Sequence, residues 1–344
     1  MTDLSTRYMG LELRNPIIVG SSGLTNSVKN LKEAEQHGAG AIVLKSIFEE
    51  QIRLETDKFI GNENEKMDPF RKGLGDIEAE RSYDYTEALD YIHDFARENT
   101  LSQYLGFIEE ARKTVDIPII ASINCVSPYD WHYFARRIQA AGAHAIELNI
   151  YILPSDPGMT SAGNEHAYFD IASEVMKQVS IPVSVKVGYY FSSLSSTLIR
   201  LSNTGIKGLV MFNRPFHPDI NIQTLDIEPK YLLSDTPEYS HTLRWMALLY
   251  GKAGCDLVAS TGIHDHEAVI KQLLAGATAV QMASAFYKHG FGYLEEVLKG
   301  IEDWMGSKGF NKPEDFRGMV SQKNVKHPAA FERVQFMKLY SQIV

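Results

Sequence analysis

Lys45, Asn124, Asn149, Lys186 and Asn213 each end a short apolar run. An asparagine offers two donors and two acceptor lone pairs, and a lysine offers a movable positive charge. Side chains of this kind at the ends of buried strands need partners, and a ligand can supply them. Together they suit a polar, anionic small molecule. Arg214 follows Asn213 and could grip a carboxylate through two parallel hydrogen bonds. Two nearby side chains could move a proton: Tyr151, just beyond Asn149, and Cys125, just beyond Asn124. Taken singly, a strand-end serine also serves as a helix cap and a strand-end lysine simply leaves for water. The grouping is harder to explain as structure alone, because a barrel needs neither lysine nor asparagine there.

The elements that hold these residues alternate with regularity. Short apolar runs lie at 17–19, 41–44, 117–124, 145–149, 182–187, 208–213, 256–261 and 277–282. Helical patterns separate them: one after Asn26, whose side chain can cap it, then 101–115, 129–141, 165–179, 195–204, 237–250, 265–275 and 286 to about 305. Strands that are apolar on both faces belong to a parallel sheet. Eight βα units in one chain predict a closed (β/α)8 TIM barrel rather than an open doubly wound sheet. Gly20-Ser21-Ser22-Gly23 does not have the spacing of a dinucleotide fingerprint.

Three segments depart from the alternation. Gly10 sits in a short hairpin pattern before the first strand. Residues 49–100 form a long insertion after strand 2, whose aromatic residues favour an ordered flap. A C-terminal tail, 306–344, carries a helical pattern from Pro328 to Ile343. Residues 214–235 are a further insertion. No composition shift divides the chain, so 1–344 reads as a single domain.

The formal net charge of -9, from 34 basic and 43 acidic residues, argues against a binder of nucleic-acid phosphates. The two cysteines, Cys125 and Cys255, lie in or beside apolar runs and read as free thiols of a cytoplasmic protein. No run of 18 apolar residues would span a membrane. His264 and His266 come nearest to metal spacing but fall at a helix start, so no metal is expected.

Ser260-Thr261-Gly262-Ile263 and Met282-Ala283-Ser284 follow the last two strands. Barrels build phosphate sites there from loop amides and a helix N-terminus. Small residues let the backbone approach the phosphate, and the hydroxyls of Thr261 and Ser284 add donors. Lys45 and Lys186 then face the other end of a long ligand. Flavin mononucleotide (FMN) fits that layout, with a lysine where negative charge builds on reduction. A barrel lyase or aldolase using either lysine as a Schiff base, and a non-catalytic flavin-binding protein, are the alternatives.

Asn15-Pro16 with Ser21-Ser22-Gly23, Leu44-Lys45-Ser46, Ile146-Glu147-Leu148-Asn149, Val185-Lys186, Asn213, Ser260-Thr261-Gly262-Ile263, and Ala275-Gly276-Ala277-Thr278 with Val280-Gln281 resemble the dihydroorotate dehydrogenase family, in its soluble class 1 form. The similarity runs in order from about residue 7 to 315. It implies an FMN-binding barrel that oxidises dihydroorotate to orotate in pyrimidine biosynthesis, often as a homodimer. By position it implies that Lys45 contacts both flavin and substrate. Ser21, Ser22, Gly23, Ser46, Asn124, Asn149 and Lys186 would lie on the flavin, and Thr261, Gly262, Ala283 and Ser284 on its phosphate. Asn149 and Asn213, with Arg214 beside them, would hold the substrate. The family loop Asn-Leu-Ser-Cys-Pro-Asn reads here Asn149-Ile150-Tyr151-Ile152-Leu153-Pro154. Ile152 thus takes the place of the cysteine base.

Overall fold

The computed structural model describes residues 2–48, 100–124, 131–214, 217–230 and 232–332. The predicted flap therefore lies outside the described residues, as does Cys125.

Eight strands close into a ring of parallel neighbours: β3 (Ile17–Val19), β4 (Ala41–Val43), β6 (Ile119–Asn124), β7 (Ala145–Ile150), β8 (Val183–Val187), β9 (Gly208–Met211), β12 (Asp256–Ser260) and β13 (Ala279–Met282). The short β5 (Ile47–Phe48) extends β4 upward and pairs with the end of β6. This is the (β/α)8 barrel, with helices between its strands. Both faces of each strand are covered, which is why the strands read as unbroken apolar runs. Ile17, Val19, Ile42 and Ile146 pack in the main core cluster, while Ile18, Ala41, Val43, Ile120, Ala145, Val210, Val258 and Ala279 form a second one.

The N-terminal hairpin, β1 (Thr6–Tyr8) and β2 (Leu11–Leu13), turns through Met9 and Gly10, both at positive φ. Tyr8, Met9 and Leu13 pack on that second cluster and plug the barrel floor. The Met9 amide donates to Asp256 Oδ2 at 2.8 Å, which ties the plug to β12.

Period-two alternation now places the chemistry. Two residues above the apolar layer come Lys45, Ser122, Glu147, Ser260 and Gln281; Asn124 and Asn149 stand one step higher. The strands thus point a polar layer into the barrel directly above an apolar one.

Several boundaries differ from the sequence reading. Ser27, not Asn26, caps α1 (Val28–Gln36), because Asn26 is spent ending the 3-10 turn Gly23–Thr25. The pattern from 286 to 305 splits into α8 (Ser284–His289) and α9 (Tyr293–Lys308) at Gly290, whose φ of 77° breaks the helix. The insertion after strand 6 is an antiparallel hairpin, β10 (His217–Asn221) with β11 (Asp226–Lys230). The tail begins its predicted helix only as a 3-10 turn, Pro328–Ala330, and 333–344 lie outside the described residues.

Candidate active site at the C-terminal mouth of the barrel

Asn149 and Lys186 are register partners on β7 and β8. Asn213 follows β9, its amide N–H held by Val187 O at 2.7 Å. Its side chain donates to Asn149 Oδ1 at 2.9 Å. The two asparagines and the lysine expected at the site therefore share one side of the mouth. Lys186 reaches inward, where its Nζ donates to Gln281 Oε1 at 2.8 Å and lies 4.0 Å from Glu147 Oε1. Burial pulls the lysine below its ordinary pKa, against the pull of Glu147, and burial pushes Glu147 up, against Lys186 and Gln281.

On the opposite side, Ser21, Ser46 and Ser122 form a line of hydroxyls, with Ser46 Oγ 3.1 Å from Ser21 Oγ and 2.7 Å from Ser122 Oγ. Ser22 caps the turn after β3 by accepting from the Leu24 amide. Gly23 lies against Tyr287, whose hydroxyl a Cβ there would meet at 2.6 Å. Lys45 is half-buried beside Ser46, and its amide donates to Thr25 O. Asn124 ends β6, level with Phe48.

A cavity of about 130 Å³ opens between these groups and the last two strands. Ser21, Lys186, Asn213, Arg214, Thr261 and Ser284 line it, and none of its described lining residues is a carboxylate. Such a wall of donors and small residues suits an anion. Thr261 and Gly262 both take positive φ, 77° and 76°. For a β-branched residue that conformation is strained, at a cost of about 1–3 kcal/mol, and Thr261 Oγ donates to Phe212 O at 3.0 Å while holding it. Gly262 admits no side chain, since a Cβ would run into the Tyr239 amide. The N-cap of α8, Ala283, makes no side-chain cap, as is also true of Ser193, Glu238 and Gly292 at the starts of their helices. Ser284 Oγ accepts from the Ser234 amide at 3.0 Å, and this draws the segment before α6 (Tyr239–Leu249) over the cavity edge.

Two expected site residues, Arg214 and Tyr151, have other company. Arg214 pairs with Glu238 through Nε at 3.1 Å and Nη2 at 3.4 Å while lining the cavity. Tyr151 joins an aromatic group with Tyr190 and Tyr189. Burial first, then the hydrogen bond to Tyr190, raises its phenol well above the ordinary value, so it keeps its proton at neutral pH. His264 bonds Ser234 through Nε2 at 3.1 Å, and no group of three or more metal-ligating side chains occurs among the described residues. Ile152 is half-buried against the core, with its amide donating to Tyr168 Oη at 3.2 Å. It offers no proton acceptor.

The sequence reading gave no role to Glu147 or Gln281. The signal was available: one carboxylate inside the apolar strand Ala145–Ile150. A larger, shallow hollow of about 850 Å³ lies at the other end of the barrel, beside Met9, Lys207, Cys255 and Asp256. Residues at that end serve stability rather than chemistry, and the Cys255 thiol there is pushed up to about 12 by burial.

The fold and site define a (β/α)8 barrel with a cavity of donors and small residues at its mouth, beside the last two strands. The chain matches the family model of dihydroorotate dehydrogenase over residues 89–305. It belongs to the dihydroorotate dehydrogenase family. An Aeropyrum pernix relative, named provisionally as a dihydroorotate dehydrogenase A (fumarate), is 26% identical over 325 residues, 92% of this chain and 97% of the relative. Two relatives named as catalytic subunits of dihydroorotate dehydrogenase B (NAD(+)) are similarly close. That of Thermoplasma volcanium is 24% identical over 94% of this chain and 100% of its own length. That of Methanocaldococcus jannaschii is 24% identical over 93% and 98%.

Proposed function

We propose that this chain is an FMN-dependent oxidoreductase of CH–CH donors that oxidises dihydroorotate to orotate. The observation that carries the reading is the cavity whose described lining holds Lys186 and Arg214 and no carboxylate, at the strand ends where this fold places its chemistry. Bound FMN would supply a hydride acceptor at its ring nitrogen N5. Thr261, Gly262, Ala283 and Ser284 would hold its phosphate. Ser21, Ser22, Gly23, Lys45, Ser46, Asn124, Asn149 and Lys186 would lie along the rest. The donor set fits: Ala283 leaves the first amides of α8 without a side-chain cap, and Lys186 supplies the positive charge that a reduced ring requires.

Asn149 and Asn213 would orient the planar substrate, and Lys45 would touch both ligands. A proton must also leave the substrate, and Ile152 cannot take it. Tyr151 and Cys125 are the proton-relay candidates. Tyr151 is protonated at rest, because burial raises its phenol, so it would serve as a relay and not as a resting base. The test is anaerobic titration of the yellow protein with dihydroorotate, read as flavin bleaching. Unchanged absorbance would refute dihydroorotate as the substrate.

Burial of Lys186 and its lowered pKa are also what a Schiff-base lysine needs. Borohydride trapping of a carbonyl compound on a colourless protein would favour that second reading. The relatives carry two acceptor names, fumarate and NAD(+). Reoxidation by fumarate alone would assign the first; a requirement for a partner chain would assign the second. We further propose a homodimer in the cytoplasm. No helix among the described residues is long and apolar enough to cross a membrane.

A further inference from the structure

The barrel interior holds a carboxyl group that the ligand contacts leave unused. Glu147 stands mid-strand in β7, 1% exposed. Its Oε2 accepts from Gln281 Nε2, and its Oε1 has no hydrogen-bond partner among the described residues. Gln281 Oε1 in turn accepts from Lys186 Nζ at 2.8 Å, and that ammonium lies 4.0 Å from the unpartnered Glu147 Oε1. Side chains from β7, β8 and β13 thus form one chain. Lys186 and Gln281 line the cavity, and Glu147 is not among its lining residues.

Other groups around Glu147 do not replace the lysine. Tyr104, from the helix at 100–114, and Tyr8, from the floor hairpin, both feel its charge, and burial keeps both phenols protonated. Asp256, which also acts on Tyr8, adds a further negative charge on the floor side. Lys186 is the cation that acts on Glu147 among the described residues. A buried carboxylate depends strongly on such a single partner.

We propose that Glu147 is the internal proton store of this site: it takes up one proton when negative charge arrives beside Lys186 and gives it back when that charge leaves. The proposal rests on the FMN reading. Oxidation of a CH–CH pair sends two electrons and one proton to the cofactor as hydride, and the adjacent carbon loses its own proton separately. Lys186 then serves two negative neighbours in place of one. Glu147 loses part of its counter-charge and binds a proton drawn from solvent water. Cofactor reduction therefore takes up two protons with two electrons, the hydride's proton and the one on Glu147. Reoxidation returns both. Ser122, the register partner of Glu147, ends the hydroxyl line that starts at Ser21 on the cavity wall, so that line reaches the strand beside Glu147.

The test begins with the visible spectrum of the purified protein. A colourless protein overturns the FMN reading and this proposal with it. On yellow protein, the midpoint potential is followed against pH by spectroelectrochemistry through the neutral range. Two protons per two electrons give a slope of about 59 mV per pH unit, and Glu147→Gln should fall to about 30. Reduced-minus-oxidised infrared difference spectra of the wild-type protein should show a protonated carboxyl band that shifts in heavy water, a measurement that needs no variant to fold. A yellow wild-type protein with a slope of about 30 mV and no such band overturns the proton store while leaving the FMN reading intact.

Discussion

Asn213 donates its side-chain amide to Asn149 Oδ1 at 2.9 Å, so residues 64 positions apart form one edge of the barrel mouth. Each fixes the other's flip state, because Asn149 must turn its oxygen toward Asn213 and its remaining N–H groups elsewhere. Asn149→Ala should therefore disturb substrate orientation twice, through its own lost contacts and through a freed Asn213. The expected result is a loss of about tenfold or more in kcat/KM for dihydroorotate, corresponding to about 1.4 kcal/mol, measured per bound flavin because Asn149 also borders the proposed cofactor. An unchanged kcat/KM per bound flavin would show that the pair serves the cofactor alone.

Lys186 and Glu147 should be coupled in stability as well as chemistry. Lys186→Met leaves a buried carboxylate without its cation, a change that costs about 3–5 kcal/mol where the carboxylate stays ionised. The carboxyl, already raised by burial, will escape part of that cost by protonating. Its folded pKa then lies above its unfolded one, so the penalty is small in acid and grows as pH rises. Urea unfolding at several pH values reads this directly. Lys186→Met combined with Glu147→Gln should recover most of the loss; additive losses would show that the pair does not interact.

Histidines set a separate acid limit. The Ile119 amide donates to His144 Nδ1 at 2.9 Å, which requires that nitrogen to be unprotonated. Burial lowers the pKa of His144, His241 and His264 from 6.5. A histidine lowered in the fold is protonated first in the unfolded chain. Stability is thus unaffected well above about 6.5 and falls as pH drops through that value. Thermal unfolding followed from neutral to mildly acid pH should show the decline, and His144→Gln should lessen it. A melting temperature flat across that window would count against it.

The β10–β11 hairpin places Ile220 opposite Ile227, 64% and 75% exposed, with Ile222 and Leu225 close by and also exposed. A two-stranded hairpin with apolar side chains in water is marginal alone and invites a partner. In the proposed homodimer a second copy would cover this surface. Ile227→Lys should then shift sedimentation toward the monomer without lowering flavin content. A variant that stays dimeric would place the interface elsewhere.

The barrel was legible because its strands are buried on both faces and their apolar runs recur at even spacing. The strand-end residues were legible for the same reason, since a polar side chain closing an apolar run marks where a strand leaves the core. The partnership of Glu147, Lys186 and Gln281 was not. Gln281 and Glu147 are 134 residues apart, and no spacing along the chain says that β7, β8 and β13 aim them at one another. Nor was the partner of Arg214 legible: the turn before α6 brings Glu238 within 3.1 Å of it while it lines the cavity. The β10–β11 hairpin was missed because Pro218, Asp219 and Asn221 read as loop residues.

Ile152 offers the sharpest test of the reaction. It occupies the position where the family resemblance places a cysteine base, and its backbone is already anchored by the bond to Tyr168 Oη. Substituting a smaller side chain there leaves that anchor in place. Ile152→Cys should therefore install a base without rebuilding the loop. A positioned base contributes about 10²–10⁴-fold to such a step, so dihydroorotate oxidation by the flavin-loaded variant should rise by about 10²-fold or more. The gain should climb with pH up to about 8.5, where an unperturbed thiol ionises, and Ile152→Ala, which opens the same space without a base, should show none. Stopped-flow measurement of flavin bleaching isolates the chemical step from reoxidation. Equal rates for the Cys and Ala variants would mean that this position does not face the substrate, and the proton would have to leave by the Tyr151 side.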